Sequence, residues 1–193
     1  MFRIRLHLLG IALLLSAIAL ATRPAAATSP LHPEGEHGDW HTGASSSRLV
    51  QQVREATAVF RDVNQAIGSG YEPFGGCVSG PAEGAMGVHF VNQELLLDGD
   101  LKVDRPEALI YELHNGLARL VGVEYIVLAA LWDAGHPEPP LPPVLEGQLL
   151  LHFNESPNRF RLPAFYEIHV WAWRDNPNGT FADWNTRVSC DGQ

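Results

Sequence analysis

The sequence predicts an α+β fold: one N-terminal amphipathic helix packed on a curved antiparallel sheet of about five strands. Three observations carry that prediction. Apolar residues recur at helical spacing in one stretch only, Leu49 to Ile67. From residue 85 the pattern changes to short β-like runs with turn residues between them and no helical stretch intervening. Two of those runs are joined by Asn115-Gly116, a pair suited to the left-handed positions of a tight hairpin. A helix followed by successive strands without helical crossovers implies antiparallel pairing.

The helix is read from Leu49, Val53, Ala56, Phe60, Val63 and Ile67, which fall on one stripe. Ser45, Ser46 and Ser47 are its N-cap candidates, and Gly68 and Gly70 end it. The first strand is Gly87 to Val91, and the second is Ala108 to Glu112, set off by Arg105-Pro106. The third, Leu117 to Leu131, is the longest; Gln148 to Phe153 and Ala164 to Trp173 complete the set. The single domain expected from these elements spans residues 45–193.

Ahead of it, residues 1–27 read as a signal peptide. Arg3 and Arg5 precede the apolar run Leu6 to Ala21, and Ala25-Ala26-Ala27 offers a cleavage site before Thr28. That run is short of the ~20 residues that cross a bilayer. Residues 28–44 read as a flexible polar linker whose His32, His37 and His41 are weak candidates for copper or zinc. Export, to the periplasm or the extracellular space, makes a disulfide between Cys77 and Cys190 the natural use of the only two cysteines.

Charge excludes several functions. Without the leader the 13 basic residues fall to 10 while the 22 acids remain, a formal charge of −12. With one lysine, Lys102, the chain has no phosphate-gripping surface, so nucleic acid is not an expected partner, and neither is an anionic membrane once the leader is cleaved. There is no phosphate loop, nucleophile elbow or Cys-x-x-Cys.

Two motifs stand out as whole phrases. Gly84-Ala85-Met86-Gly87-Val88-His89-Phe90-Val91-Asn92 is the first. The second runs from His169-Val170-Trp171-Ala172-Trp173 through Asn176-Pro177-Asn178-Gly179-Thr180-Phe181-Ala182-Asp183-Trp184-Asn185 to Cys190. With Pro106 to Glu112 and Leu120 to Tyr125 they resemble a family of uncharacterised exported bacterial proteins. The resemblance implies a single exported domain and carries no activity with it.

Chemistry is suggested by polar residues placed where strands should be apolar. Alternation along the last strand puts Phe165, Glu167, His169, Trp171 and Trp173 on one face. A solvent face does not collect aromatics, and a sealed core does not accept an unpartnered carboxylate. His89 lies within Val88 to Val91, and Glu124 interrupts Leu120 to Leu128 on the face of Leu120, Gly122, Ile126 and Leu128. If these strands are neighbours, His89, Glu124, Glu167 and His169 converge as ligands for a divalent ion: zinc, copper, manganese or iron. Trp171, Trp173 and Trp184 are candidate walls of a small-ligand pocket, with Phe181 and Trp184 as its lid. The expected function is thus a metal- or small-ligand-binding protein; a metal-dependent enzyme using the same cluster is the alternative. In the third reading there is no site, and each group finds its own neutralising neighbour, Glu124 with Arg119 or Arg174. His114, His136 and His152 are read as surface or loop residues.

Overall fold

The helical stripe forms, but not as one helix. A computed structural model describes residues 48–80, 82–136, 141–150 and 152–191. The predicted signal peptide, the polar linker and the serine N-caps lie outside them. Helix α1 (Arg48–Thr57) passes into a 3-10 turn, Ala58–Arg61, and α2 (Val63–Gly68) restarts beyond it. The restart is capped by Asp62, whose side chain accepts from Asn64 N. At the end of α1, Thr57 Oγ1 bonds back to Val53 O at 2.6 Å, a contact that competes with helix continuation. The break shifts the phase: Leu49, Val50 and Val53 are buried, but Ala66 takes the inward position and Ile67 is 53% exposed.

The strands are β1 (Tyr71–Gly80), β2 (Gly84–Asn92), β3 (Ala108–His114), β4 (Leu117–Leu128), β5 (Val144–Leu145), β6 (Gln148–Leu149), β7 (His152–Asn154) and β8 (Phe165–Val170). Short helices α3 (Gln93–Asp98) and α4 (Ala129–Ala134) follow β2 and β4. Six strands make one curled antiparallel sheet in the order β1-β2-β3-β4-β8-β7, while β5 and β6 pair separately. The Asn115-Gly116 turn has φ of 50° and 75°, the left-handed pair expected of it.

The expected strands are corrected in four places. β1 was not anticipated, because Pro73, Gly75 and Gly76 interrupt it; an edge position tolerates them. The third run stops at Leu128 and turns into α4. The fourth divides, β6 leaving the main sheet and β7 joining its edge. The fifth stops at Val170, where Ala172 N donates to Val170 O. That tight turn ends the alternation, so Trp173 packs with Val170 and Ala172 instead of beneath Trp171.

The sheet has two unlike faces. One carries Val88, Phe90, Leu109, Tyr111, Val123, Tyr125, Ile168 and Val170 against α1, the main apolar core. The other holds two smaller clusters, one around Val91, Ala108, Ile126 and Phe165, the other around Ala85, Ile110, Val121 and Trp171. A bulge keeps them in phase: Ile110 pairs with Gly122 but Tyr111 pairs with Leu120, leaving Val121 extra. Leu120 therefore joins the helix-side core, not the face of Glu124. The Cys77–Cys190 disulfide ties β1 to the C-terminal segment across a separation of 113 residues. Among the described residues no helix is long and apolar enough to cross a membrane.

Candidate metal centre

Between those two smaller clusters lie the polar residues. In the β4/β8 ladder Glu124 stands directly opposite His169; Glu167 stands opposite Ile126 on one side and His152 of β7 on the other. His89 is two strands from Glu124. It faces Ile110, whose partner on β4 is Gly122, while Glu124 itself faces Ala108. Two strand spacings are ~10 Å, a gap that the His89 and Glu124 side chains span together.

They do bridge it. His89 Nε2 lies 3.3 Å from His169 Nε2 and 3.3 Å from Glu124 Oε2. The two rings stand edge to face, 87° apart. His89, Glu124 and His169 are 6%, 4% and 1% exposed, so the group is sealed from water on most sides. The fourth predicted ligand, Glu167, belongs to an adjoining group with His152 and Asp183, whose donor atoms lie within 4.8 Å of one another. His152 Nδ1 contacts Asp183 Oδ1 directly. Asn154 Nδ2 donates to Glu167 Oε1 at 2.7 Å. The two groups adjoin: Asp183 Oδ1 is 3.7 Å from His169 Nδ1.

Asp183 arrives from far along the chain. Trp171 N donates to Thr180 O, its indole N–H to Ala182 O at 2.5 Å, and Asn185 pairs with Ala85 at the start of β2. These bonds lay residues 180–185 over the end of β8. Sequence reasoning missed both Asp183 and His152. The available signal for His152 was its alternation with Asn154 along a strand; for Asp183 there was only its place among aromatics.

Burial governs the protonation of the cluster. Desolvation, then the neighbouring His169, pulls His89 down to about 3, so it is neutral. His169 is also lowered, mainly by burial. Desolvation and then the Glu167 charge hold Glu124 well above the carboxylate range, so it keeps a proton. Burial pushes Glu167 upward as well, but the hydrogen bond from Glu124, the nearby His169 and Asn154 outweigh it, and the net direction is down. Asp183 is raised by burial. The His89–Glu124 contact is therefore between neutral groups and is no ion pair. Among the described residues no lysine or arginine pairs with Glu124, Glu167 or Asp183. Arg174 instead lies 4.0 Å from Glu112, so it does not neutralise Glu124.

The site also has an approach. His89 and Glu124 line a cavity of about 310 Å³ whose other walls include Val91, Ile126, Phe160 and Phe165, with Arg159 among its lining residues. None of the three tryptophans is among its lining residues, although Trp171 stacks on His169 with ring centroids 6.0 Å apart. Trp171 is buried in the small cluster beside Val121, and Trp173 donates to Thr57 Oγ1 on the helix side. Trp184 lies half-buried beneath the Arg159 guanidinium. Phe181 packs on the helix-side core. No protein-family model matches the chain, and no curated protein or solved structure matches it.

Proposed function

We propose that the protein is exported and binds a divalent metal ion through His89, Glu124 and His169, with Glu167 at the edge of the site. The observation that carries this reading is the convergence of three ligand atoms. A tetrahedral ion with bonds of ~2.0–2.1 Å sets its ligands ~3.3 Å apart, the separation of His89 Nε2 from both of its neighbours.

Protons alone serve this arrangement poorly. The single valence of His89 Nε2 can donate to one neighbour or accept from one, which leaves the other close contact unpaired. One cation takes a lone pair from each. Asp183 Oδ1 lies 3.7 Å from His169 Nδ1, beyond hydrogen-bond reach but on the side from which an outer carboxylate orients a ligating imidazole. Two nitrogens and one oxygen suit zinc, iron, copper or manganese, and three protein ligands leave a coordination position free.

That free position favours a second reading, a metal-dependent enzyme, because His89 and Glu124 open on the cavity. A reactant could reach the ion there without unfolding the sheet. The export reading draws support from the disulfide, which suits an oxidising compartment, and from the predicted leader. The resemblance to exported bacterial proteins belongs to the same reading.

Elemental analysis of the purified protein tests it. Wild type should hold about one equivalent or more of a first-row metal. His89→Ala and His169→Ala should each lose the ion bound at this site and keep wild-type circular dichroism. Unchanged metal content in both variants would end the proposal.

A further inference from the structure

The cluster does not stop at three ligands. Among the described residues, six buried side-chain atoms lack a hydrogen-bond partner, and four of them sit together: Glu167 Oε2, His169 Nδ1, His152 Nδ1 and Asp183 Oδ1. Glu167 is 4% exposed and His169 is 1% exposed, so bulk water does not satisfy them. Orphaned polar atoms at one spot indicate a missing partner, since each costs ~1–3 kcal/mol if left bare. His152 Nδ1 and Asp183 Oδ1 contact each other, outside hydrogen-bond geometry.

From this we infer that His152, Glu167 and Asp183 hold a second divalent cation beside the first, making the centre dinuclear. The inference rests on the reading of His89, Glu124 and His169 as a first site. His169 joins the sites, turning Nε2 toward His89 and Nδ1 toward Asp183. Glu124 and Glu167, on paired strands, bring one carboxyl to each group. Two adjoining ion sites are the arrangement of a two-metal centre.

Charge supports the count. Glu124, Glu167 and Asp183 bring up to three negative charges to one buried spot, and the described lysines and arginines do not neutralise them. One divalent ion leaves that set one negative charge in excess. Two leave it one positive, which a hydroxide or an anionic ligand entering from the cavity can balance. The donor sets also differ in kind. Two imidazoles and one carboxylate make the first site the softer; one imidazole and two carboxylates make the second the harder, suited to manganese as well as zinc.

Stoichiometry decides between the possibilities. Chelator-stripped full-length protein is titrated with Zn²⁺ and bound metal is counted after gel filtration. Wild type should bind two ions, and His152→Ala and Asp183→Asn should each bind one. His152 is partly exposed and on an edge strand, so its alanine variant keeps the test alive if Asp183→Asn does not fold. Loading with Mn²⁺ should give an exchange-coupled two-ion signal in electron paramagnetic resonance that is absent from His152→Ala. One ion in wild type, unaffected by His152→Ala, overturns the second site and leaves the first intact. Two ions retained by both variants, or both ions lost together in His152→Ala, also overturn it. No bound ion in wild type sinks the first reading as well, an outcome separate from these.

Discussion

Replacing Glu107 by glutamine should stabilise the protein at alkaline pH and far less in acid. The Glu107 carboxyl is 1% exposed. Its Oε2 accepts from Ile126 N at 2.9 Å, and its Oε1 has no hydrogen-bond partner. Burial, opposed only in part by backbone N–H groups, pushes the group up to about 8. In an unfolded chain a glutamate titrates near ~4.3. Between those values the native protein holds a proton that the unfolded chain has released. The native state then binds more protons, so stability falls as pH rises through that window. At ~1.4 kcal/mol per pH step the ceiling on the loss is about 5 kcal/mol. Glutamine keeps an oxygen for Ile126 N and never ionises, so the variant escapes the loss. Urea denaturation of both proteins at pH 5 and pH 8.5 reads the difference directly, and groups common to both cancel. The variant should be the more stable by about 1 kcal/mol at pH 5 and by up to about 5 kcal/mol at pH 8.5. A gap that is absent at pH 8.5, or that favours wild type there, refutes burial of an uncompensated carboxyl as the cause.

Three other outcomes are expected. Cys77→Ser opens a loop closed over 113 residues and should lower stability in oxidising buffer by about 4–5 kcal/mol in the chain-entropy account; equal melting temperatures would show that the bridge contributes nothing. Gly122→Ala would set a methyl 2.9 Å from Val170 O and 3.3 Å from the Trp171 ring. It should cost ~1–3 kcal/mol and weaken metal binding, because the adjacent pair Glu124 and His169 must move apart; calorimetry indistinguishable from wild type would count against the packing described. Metal binding must displace the proton that burial keeps on Glu124, so affinity should rise with pH by up to about tenfold per pH unit near neutrality. Competition titrations at pH 6 and pH 8 giving equal affinity would exclude a ligating Glu124.

Much of this was legible in residue order, and the reasons are local. An Asn-Gly pair needs two left-handed residues wherever it occurs, so the β3/β4 hairpin could be read without knowing its surroundings. Period-two spacing names the face of a side chain as long as the strand is regular, and Glu167 and His169 do share the face read for them. His89 and Glu124 betrayed themselves because a polar group inside an apolar strand carries a desolvation cost that demands a partner. Two cysteines in a chain with a predicted leader could hardly serve anything but each other, and they are bonded.

What residue order could not supply were the interruptions and the partners. The extra residue at Val121 reversed Leu120, and the turn at Val170 redirected Trp173; one residue out of register is enough to exchange faces. The grouping of the ligands had the same origin. Glu167 parted from the other three because β7, a three-residue edge strand too short to announce itself, set His152 across from it. Asp183 joined because backbone bonds to Trp171 and Ala85 draw the closing segment over the sheet. Spacing along a chain encodes which side of a strand a group takes. Which strands become neighbours, and which distant loop covers them, follows from burying all the apolar surface at once, and that balance is struck only among residues far apart in sequence.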